Sequence, residues 1–171
     1  MTALAPTSAD VWALLEQVTD PEIPVVSLRE LGILRAVNAT DDGFEVVITP
    51  TYSGCPAMGQ IEDDVQAVLA EAGVSARVLT QLAPAWTTDW MCDEAKEKLR
   101  AYGIAPPQRQ SCGAQVNVIQ FMQKPVTEPD IPCPQCGSTQ TVVSAEFGST
   151  ACKALYKCLS CQEPFDYFKP Y

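Results

Sequence analysis

Four cysteines fall in two Cys-x-x-Cys pairs, Cys133/Cys136 and Cys158/Cys161, with 21 residues between the pairs. Each pair closes a tight turn whose backbone N–H groups point at the sulfurs, and two such turns meeting across a short sheet form a tetrahedral four-thiolate site. Zinc is the expected metal, with iron in a rubredoxin-like site as the other option. About 40 residues bury too little apolar surface to fold alone. A structural zinc contributes on the order of 10–16 kcal/mol in such peptides. With all four positions filled by thiolates, no place remains for water or substrate, so this metal is read as scaffold. Gly137 suits the positive φ of the first knuckle, while the second has Gln162 in the equivalent place.

The other cysteines, Cys55, Cys92, Cys112 and Cys152, are scattered. Cys55 stands in "PTYSGCPAM", directly before Pro56, a residue suited to the first turn of a helix. That predicts Cys55 at or beside an N-cap, where the helix dipole and free N–H groups stabilise a thiolate. Gly54 would let the backbone approach whatever the sulfur touches. The chain has no histidine, so a Cys–His nucleophile pair and a carboxylate-bridged di-iron centre built on Glu-x-x-His are both excluded. No second cysteine lies near Cys55 for dithiol redox work. What remains is a soft ligand for iron or another metal, or a buried small side chain. One such cysteine cannot hold a cluster, but two copies across a symmetric homodimer could supply two thiolates. Cys152, six residues before the second pair, reads as a buried thiol or as an exchangeable ligand.

The elements that must position these residues follow from periodicity. Ser8 would cap a first helix burying Val11, Leu14, Leu15 and Val18, ended by the prolines of "TDPEIP". Two β-rich runs flank Asp42-Gly43 as a hairpin. A helix over Pro56 to Ala72 buries Met58, Ile61, Val65, Val68 and Leu69 and closes at Gly73. "ARVLTQL" is a third strand. A third helix starting near Asp89 turns Met91, Ala95, Leu99 and Tyr102 inward and pairs Glu94 with Lys98 outside. A further strand is expected around Val116 to Phe121, and Pro125, Pro129 and Pro132 mark a stiff linker. The fold class is α+β: a small sheet with helices on one face over residues 1–124, a linker over 125–132, and a C-terminal four-Cys zinc ribbon over 133–171.

Charge narrows the function. The net charge is −10, without the basic footprint that nucleic acid or an anionic membrane would require. The start lacks a basic n-region and an unbroken apolar core, so no secretory signal is expected, and no apolar run is long enough to span a bilayer. Eight cysteines in a cytoplasmic chain point to metal or redox work rather than disulfides.

The segments "DPEIPVVSLRELGIL" and "TPTYSGCPAM", with the tryptophans Trp86 and Trp90, resemble the small domain of iron–sulfur assembly factors related to SufT. The signature of that family corresponds here to Asp20-Pro21-Glu22, Thr49 with Thr51, and Cys55-Pro56. Together with the ribbon, the chain is similar over nearly its whole length to the PaaD family of phenylacetyl-CoA epoxidase (phenylacetate-CoA oxygenase) subunits. The resemblance implies a non-catalytic accessory protein of phenylacetate breakdown, serving iron or iron–sulfur maturation for the oxygenase and reductase subunits. It implies a structural zinc and a transient iron–sulfur cluster, with Cys55 as its ligand and Asp20, Glu22 and Thr51 in support. Cys92 stands where a small polar residue is expected, so Cys92 and Cys112 are further ligand candidates. Trp86 and Trp90 would wall the Cys55 pocket or form a dimer contact. Two rival readings stay open: a structural adaptor that docks oxygenase to reductase, and a thiol enzyme acting through Cys55.

Overall fold

The computed structural model describes residues 6–108 and 130–171. Cys112, the strand expected at 116–121 and most of the expected linker lie outside the described residues.

The first unit begins with α1 (Ser8–Leu15), capped not by Ser8 but by Thr7, whose side chain accepts the Asp10 N–H while Asp10 returns a bond to the Thr7 N–H. This reciprocal capping box satisfies two of the helix's free donors, and Ser8 becomes the first helical residue. Val11 and Leu15 face the core. The hairpin follows as β1 (Leu34–Thr40) and β2 (Gly43–Ile48), antiparallel with Thr40 opposite Gly43. Gly43 has φ +139°, and a Cβ there would stand 2.2 Å from the Ser75 carbonyl oxygen, so no larger residue fits this turn. Helix α2 (Met58–Glu71) buries Ile61, Val65 and Leu69 and leads to β3 (Ala76–Thr80), which runs parallel to β2. The sheet order is β1-β2-β3, with α1 against α2 and both against the sheet. β2 is the central strand and is buried on both faces at Val46, Val47 and Ile48.

The third helix departs from expectation. A 3-10 turn at Thr88–Trp90 precedes it, and α3 runs Asp93–Tyr102 with Cys92 as N-cap, its sulfur accepting the Ala95 N–H at 3.4 Å. Met91 and Cys92 are extended and separate the 3-10 turn from α3, and the Trp90 peptide passes so close to Gly32 that a Cβ there would meet its carbonyl oxygen at 2.6 Å. Ala95 and Leu99 are buried, but Tyr102 faces solvent. Lys98 pairs not with Glu94 on its own helix but with Glu30 in the loop before β1, at 2.5 Å.

Gly103 ends α3 in the left-handed conformation, and the chain passes at once into β4 (Ile104–Ala105). This strand belongs to a second sheet, completed by β5 (Thr141–Ala145), β6 (Lys153–Cys158) and β7 (Pro164–Phe168) in the order β4-β7-β6-β5. β7 pairs antiparallel with β6 on one side and parallel with β4 on the other. Its alternation is divided between two cores. Phe165 and Tyr167 pack in the ribbon with Tyr156, whereas Phe168 lies in the core of the first unit.

Phe168 packs at a tilt against Trp86, 6.0 Å between ring centroids, and the Trp86 indole N–H donates to the Leu31 carbonyl at 3.0 Å. Tyr171 closes on the other edge of Trp86 at 6.4 Å. A buried aromatic shortened to Ala costs about 3–5 kcal/mol. Phe168→Ala should therefore lower the urea midpoint read by tryptophan emission, although residue 168 lies in the C-terminal unit; an unchanged midpoint would refute the shared core.

Candidate metal and thiol sites

The four thiols of the two Cys-x-x-Cys pairs converge. All four sulfurs lie within 4.8 Å of one another, with Cys133–Cys161 at 3.7 Å and Cys136–Cys158 at 3.6 Å. A tetrahedron with metal–sulfur bonds of about 2.3 Å has sulfur–sulfur edges of about 3.8 Å, close to the two shortest distances in the quartet, so the four thiols suit a zinc ion. Both knuckles turn through a positive φ, +73° at Gly137 and +67° at Gln162. Gln162 adopts it with its side-chain amide donating to the Leu159 carbonyl at 2.7 Å. The thiols cannot all ionise together without a cation. Cys158, whose sulfur accepts the Cys161 and Ser160 N–H groups, is lowered to about 6. Cys161 accepts the Glu163 N–H, yet burial and the neighbouring thiols push it up to about 12. A divalent cation resolves that conflict by displacing the remaining protons.

The second site lies where the first unit meets the ribbon. Asp20 is buried, and its Oδ1 accepts the N–H groups of Glu22 at 2.8 Å and Ile23 at 3.0 Å. The Asp-Pro-Glu segment is thus a turn held by its own aspartate, the structural reading of these residues, and the same turn faces the Cys55 loop. Burial raises the Asp20 carboxyl above its ordinary value despite those two donors. Thr49 and Thr51 are buried at the end of β2, where the Thr49 N–H donates to the Ile33 carbonyl at 2.8 Å. Trp86 lines a cavity with Thr51, Tyr52 and Tyr171. Trp90 instead stacks beneath the Arg35 guanidinium, 3.5 Å from its ring centroid.

Cys55 is half-buried in this loop and is not at a helix end. The N-cap of α2 is Ala57, in helical conformation and without a side-chain cap. Burial pushes the Cys55 thiol up, against the pull of the Ala57 N–H, and the nearby Cys152, Asp20 and Glu22 add to the rise. The thiolate expected beside a helix N-cap is corrected to a thiol that burial pushes up, with the N-cap itself standing at Ala57. Cys92 caps α3 and lines a different cavity, with Glu30, Arg29 and Lys98.

Sequence reasoning left Cys152 open and gave Lys153 no part. Both belong here. Cys152 is buried in the core of the first unit, with Thr150 Oγ1 3.0 Å from its sulfur. Lys153, 4% exposed, places Nζ 3.9 Å from Glu22 Oε2 and 3.9 Å from Asp166 Oδ2. Only the pairing of β6 with β7 could have revealed this, since nothing local in "STACKAL" marks it.

A mixed α/β unit with an Asp-Pro-Glu turn over a cysteine loop, joined to a four-thiol ribbon, defines an iron–sulfur assembly domain fused to a zinc ribbon. Residues 8–79 match the model of the iron–sulfur cluster assembly protein family, and residues 121–169 match that of the PaaD zinc beta ribbon domain. An Escherichia coli (strain K12) protein, named as one subunit of a "Putative 1,2-phenylacetyl-CoA epoxidase", is 46% identical over 98% of this chain and 96% of its own length. The chain belongs to the PaaD family. The first unit alone is similar to the Staphylococcus aureus (strain USA300) Fe–S protein maturation auxiliary factor SufT, 39% identical over 46% of this chain and 92% of that protein. It is also similar to the crystal structure of a DUF59 domain from Bacillus anthracis, 33% identical with a TM-score of 0.50, over 54% of this chain and 90% of that one.

Two outcomes follow from the proton affinities. Alkylation of Cys55 by iodoacetamide should be slow at pH 7 and should rise with an inflection above the ordinary thiol value of 9.0; a plateau below pH 7 would contradict the geometry. Because the Asp20 carboxyl is raised in the fold, ionising it costs stability above its folded pKa, and that cost vanishes below the unfolded value near 3.8. Asp20→Asn keeps an oxygen for the two N–H donors, so it should match or exceed the parent in urea stability at pH 7. The difference should shrink as pH falls toward 4.

Proposed function

We propose that the protein is an accessory, non-catalytic subunit of a phenylacetyl-CoA epoxidase system, acting in the cytoplasm to mature an iron or iron–sulfur centre of the oxygenase or reductase. Cys55 is the ligand that takes up the iron cargo, with Asp20, Glu22 and Thr51 shaping its loop. Cys133, Cys136, Cys158 and Cys161 hold a structural zinc. The near full-length similarity to a named epoxidase component supports the first half of this reading, and similarity to Fe–S maturation factors supports the second.

The observation that carries the site assignment is the setting of Cys55: half-buried, its thiol pushed up by burial, and without a histidine to serve as its base. Such a thiol is a poor nucleophile at neutral pH, which weighs against a thiol enzyme. It is still a soft ligand, binding metal by exchanging its proton for the cation. A ligand that must lose a proton to bind, and regains it on release, suits cargo that is handed on.

Protein purified without oxygen should carry about one zinc per chain, with additional iron and acid-labile sulfide. Cys55→Ser should keep the zinc and lose the iron and sulfide. Equal iron in both proteins would remove Cys55 from the site. Zinc alone in both, together with unimpaired epoxidase assembly by the variant, would favour an adaptor that docks oxygenase to reductase.

A further inference from the structure

The loop that ends at Cys55 also walls a cavity that opens at the surface. Cys55 donates its N–H to the Tyr52 carbonyl at 3.2 Å, and Thr51, Tyr52 and Ser53 line the cavity with Leu82, Trp86 and Tyr171. Its volume is about 230 Å³, below the roughly 300–1,000 Å³ of cavities that take cofactors and small ligands. That is room for one protruding side chain. Leu82 is 57% and Tyr171 45% exposed, yet both are held in place. Thr88 donates its N–H to the Tyr171 carbonyl at 3.2 Å, and the Tyr171 hydroxyl donates to the Ala151 carbonyl at 3.2 Å. Gln81, next to Leu82, donates its N–H to the Ile48 carbonyl at 2.8 Å. A largely apolar cavity fixed in this way needs little ordering to bind.

The charge around it has one sign. Residues 36–95 carry one cation, Arg77, which pairs with Glu45 at 2.6 Å. Glu62 accepts the Thr80 hydroxyl at 2.5 Å, two residues before Leu82, and exposed Asp89 follows the Thr88 that holds Tyr171. Lys169, the cation nearest Tyr171 in the chain, sets its ammonium over the Phe147 ring at 4.2 Å. Nucleic acid, an anion, meets repulsion here. So does a second copy of this chain, which would bring the same carboxylates against these. We propose that the cavity is the docking seat for a client protein that presents one apolar side chain from a basic surface. The identity of the client rests on the maturation reading: it is the oxygenase or reductase component that receives the iron cargo. Docking sets it beside the Cys55 turn, because Tyr52 belongs to both turn and cavity.

Binding of the full-length protein to the purified oxygenase and reductase components is measured by interferometry at low and at high salt. One component should bind, and more weakly as salt rises, since opposite charges meet across the contact. Leu82→Ser changes a side chain more than half exposed, so the core is left intact. It should weaken binding at least about tenfold, as truncation at an anchoring pocket does. Tyr102→Ser, at a similarly exposed position on α3, should bind like the parent. Glu62→Gln should weaken binding and flatten its salt dependence. Parent-like binding by Leu82→Ser would overturn the seat, and salt-independent binding of the parent would overturn the basic partner. Binding of neither component would overturn the proposal outright. Self-association of the parent that Leu82→Ser abolishes would assign the cavity to a second copy and overturn it as well. Metal content separates docking from cargo uptake: Leu82→Ser should keep parent-like iron and sulfide, and Cys55→Ser should dock like the parent. Iron in the parent with docking indifferent to Leu82 would sink the seat and leave the cargo reading standing. Docking lost in Leu82→Ser, with no iron in the parent, would uphold the seat and sink the cargo reading.

Discussion

The rest of the structure depends on the two-sided pairing of β7. This one strand runs antiparallel to β6 within the ribbon and parallel to the two residues of β4 that emerge from α3. Its last side chain, Phe168, is then placed among the residues of the first core, against Trp86. Once β7 is held on both sides, β6 has no freedom of register, because each of its residues from Lys153 to Lys157 faces a fixed partner from Phe168 to Pro164. The loop before β6 must then lie over the Asp-Pro-Glu turn, and Cys152 and Lys153 with it. A flexible tether would have left the ribbon free to hold its metal anywhere. Backbone pairing makes the four-cysteine knuckles and the first unit parts of one connected arrangement.

Two thiol environments result, and they differ in what surrounds the sulfurs. In the ribbon, turn N–H groups are aimed at the sulfurs, lowering Cys158 to about 6, and four thiols share one cation site. At the Cys55 site, burial is the largest effect on Cys55, Cys152, Asp20 and Tyr52 alike, and it raises every one of them. In the ribbon four thiols crowd one cation site, so that Cys158 is lowered while Cys161 is pushed up to about 12, whereas at Cys55 burial alone is the largest effect. Affinity for a cation is set by the free energy of removing those protons as much as by the bonds formed. A resident metal and a transient one can therefore coexist in one chain without a difference in ligand type.

What the sequence made legible was local. The two Cys-x-x-Cys pairs, the hairpin at Asp42-Gly43 and the inward faces of α1 and α2 each depend on spacing within one element, and each appears in the structure. The misplaced features were those in which a neighbour distant in sequence decides. Lys98 turns to Glu30 rather than Glu94 because the loop before β1 lies beside α3. The third helix begins at Asp93, where Cys92 caps it, while the Trp90 turn before it packs against Gly32. The Cys55 thiol is pushed up because the fold half-buries it, and the N-cap falls at Ala57 rather than at Cys55, a difference that periodicity cannot resolve. The place of Cys152 was the least accessible, since it requires the order β4-β7-β6-β5, and a two-residue strand such as β4 has no pattern of its own.

That last case bears on why a ribbon is joined to an assembly unit at all. Four thiolates around one metal leave no position for chemistry, so the metal can act only through the backbone it fixes. Here that backbone carries Cys152, Lys153 and, through β7, Phe168 and Tyr171, each of which ends in or against the first unit. A small sheet with few apolar contacts could not hold a buried lysine and a buried thiol in register, because their desolvation would favour a local opening. Metal binding in the knuckles supplies the missing stability at one end of β6, and the first core supplies it at the other. The ribbon is then scaffold, acting through the strands that carry these residues to the first unit.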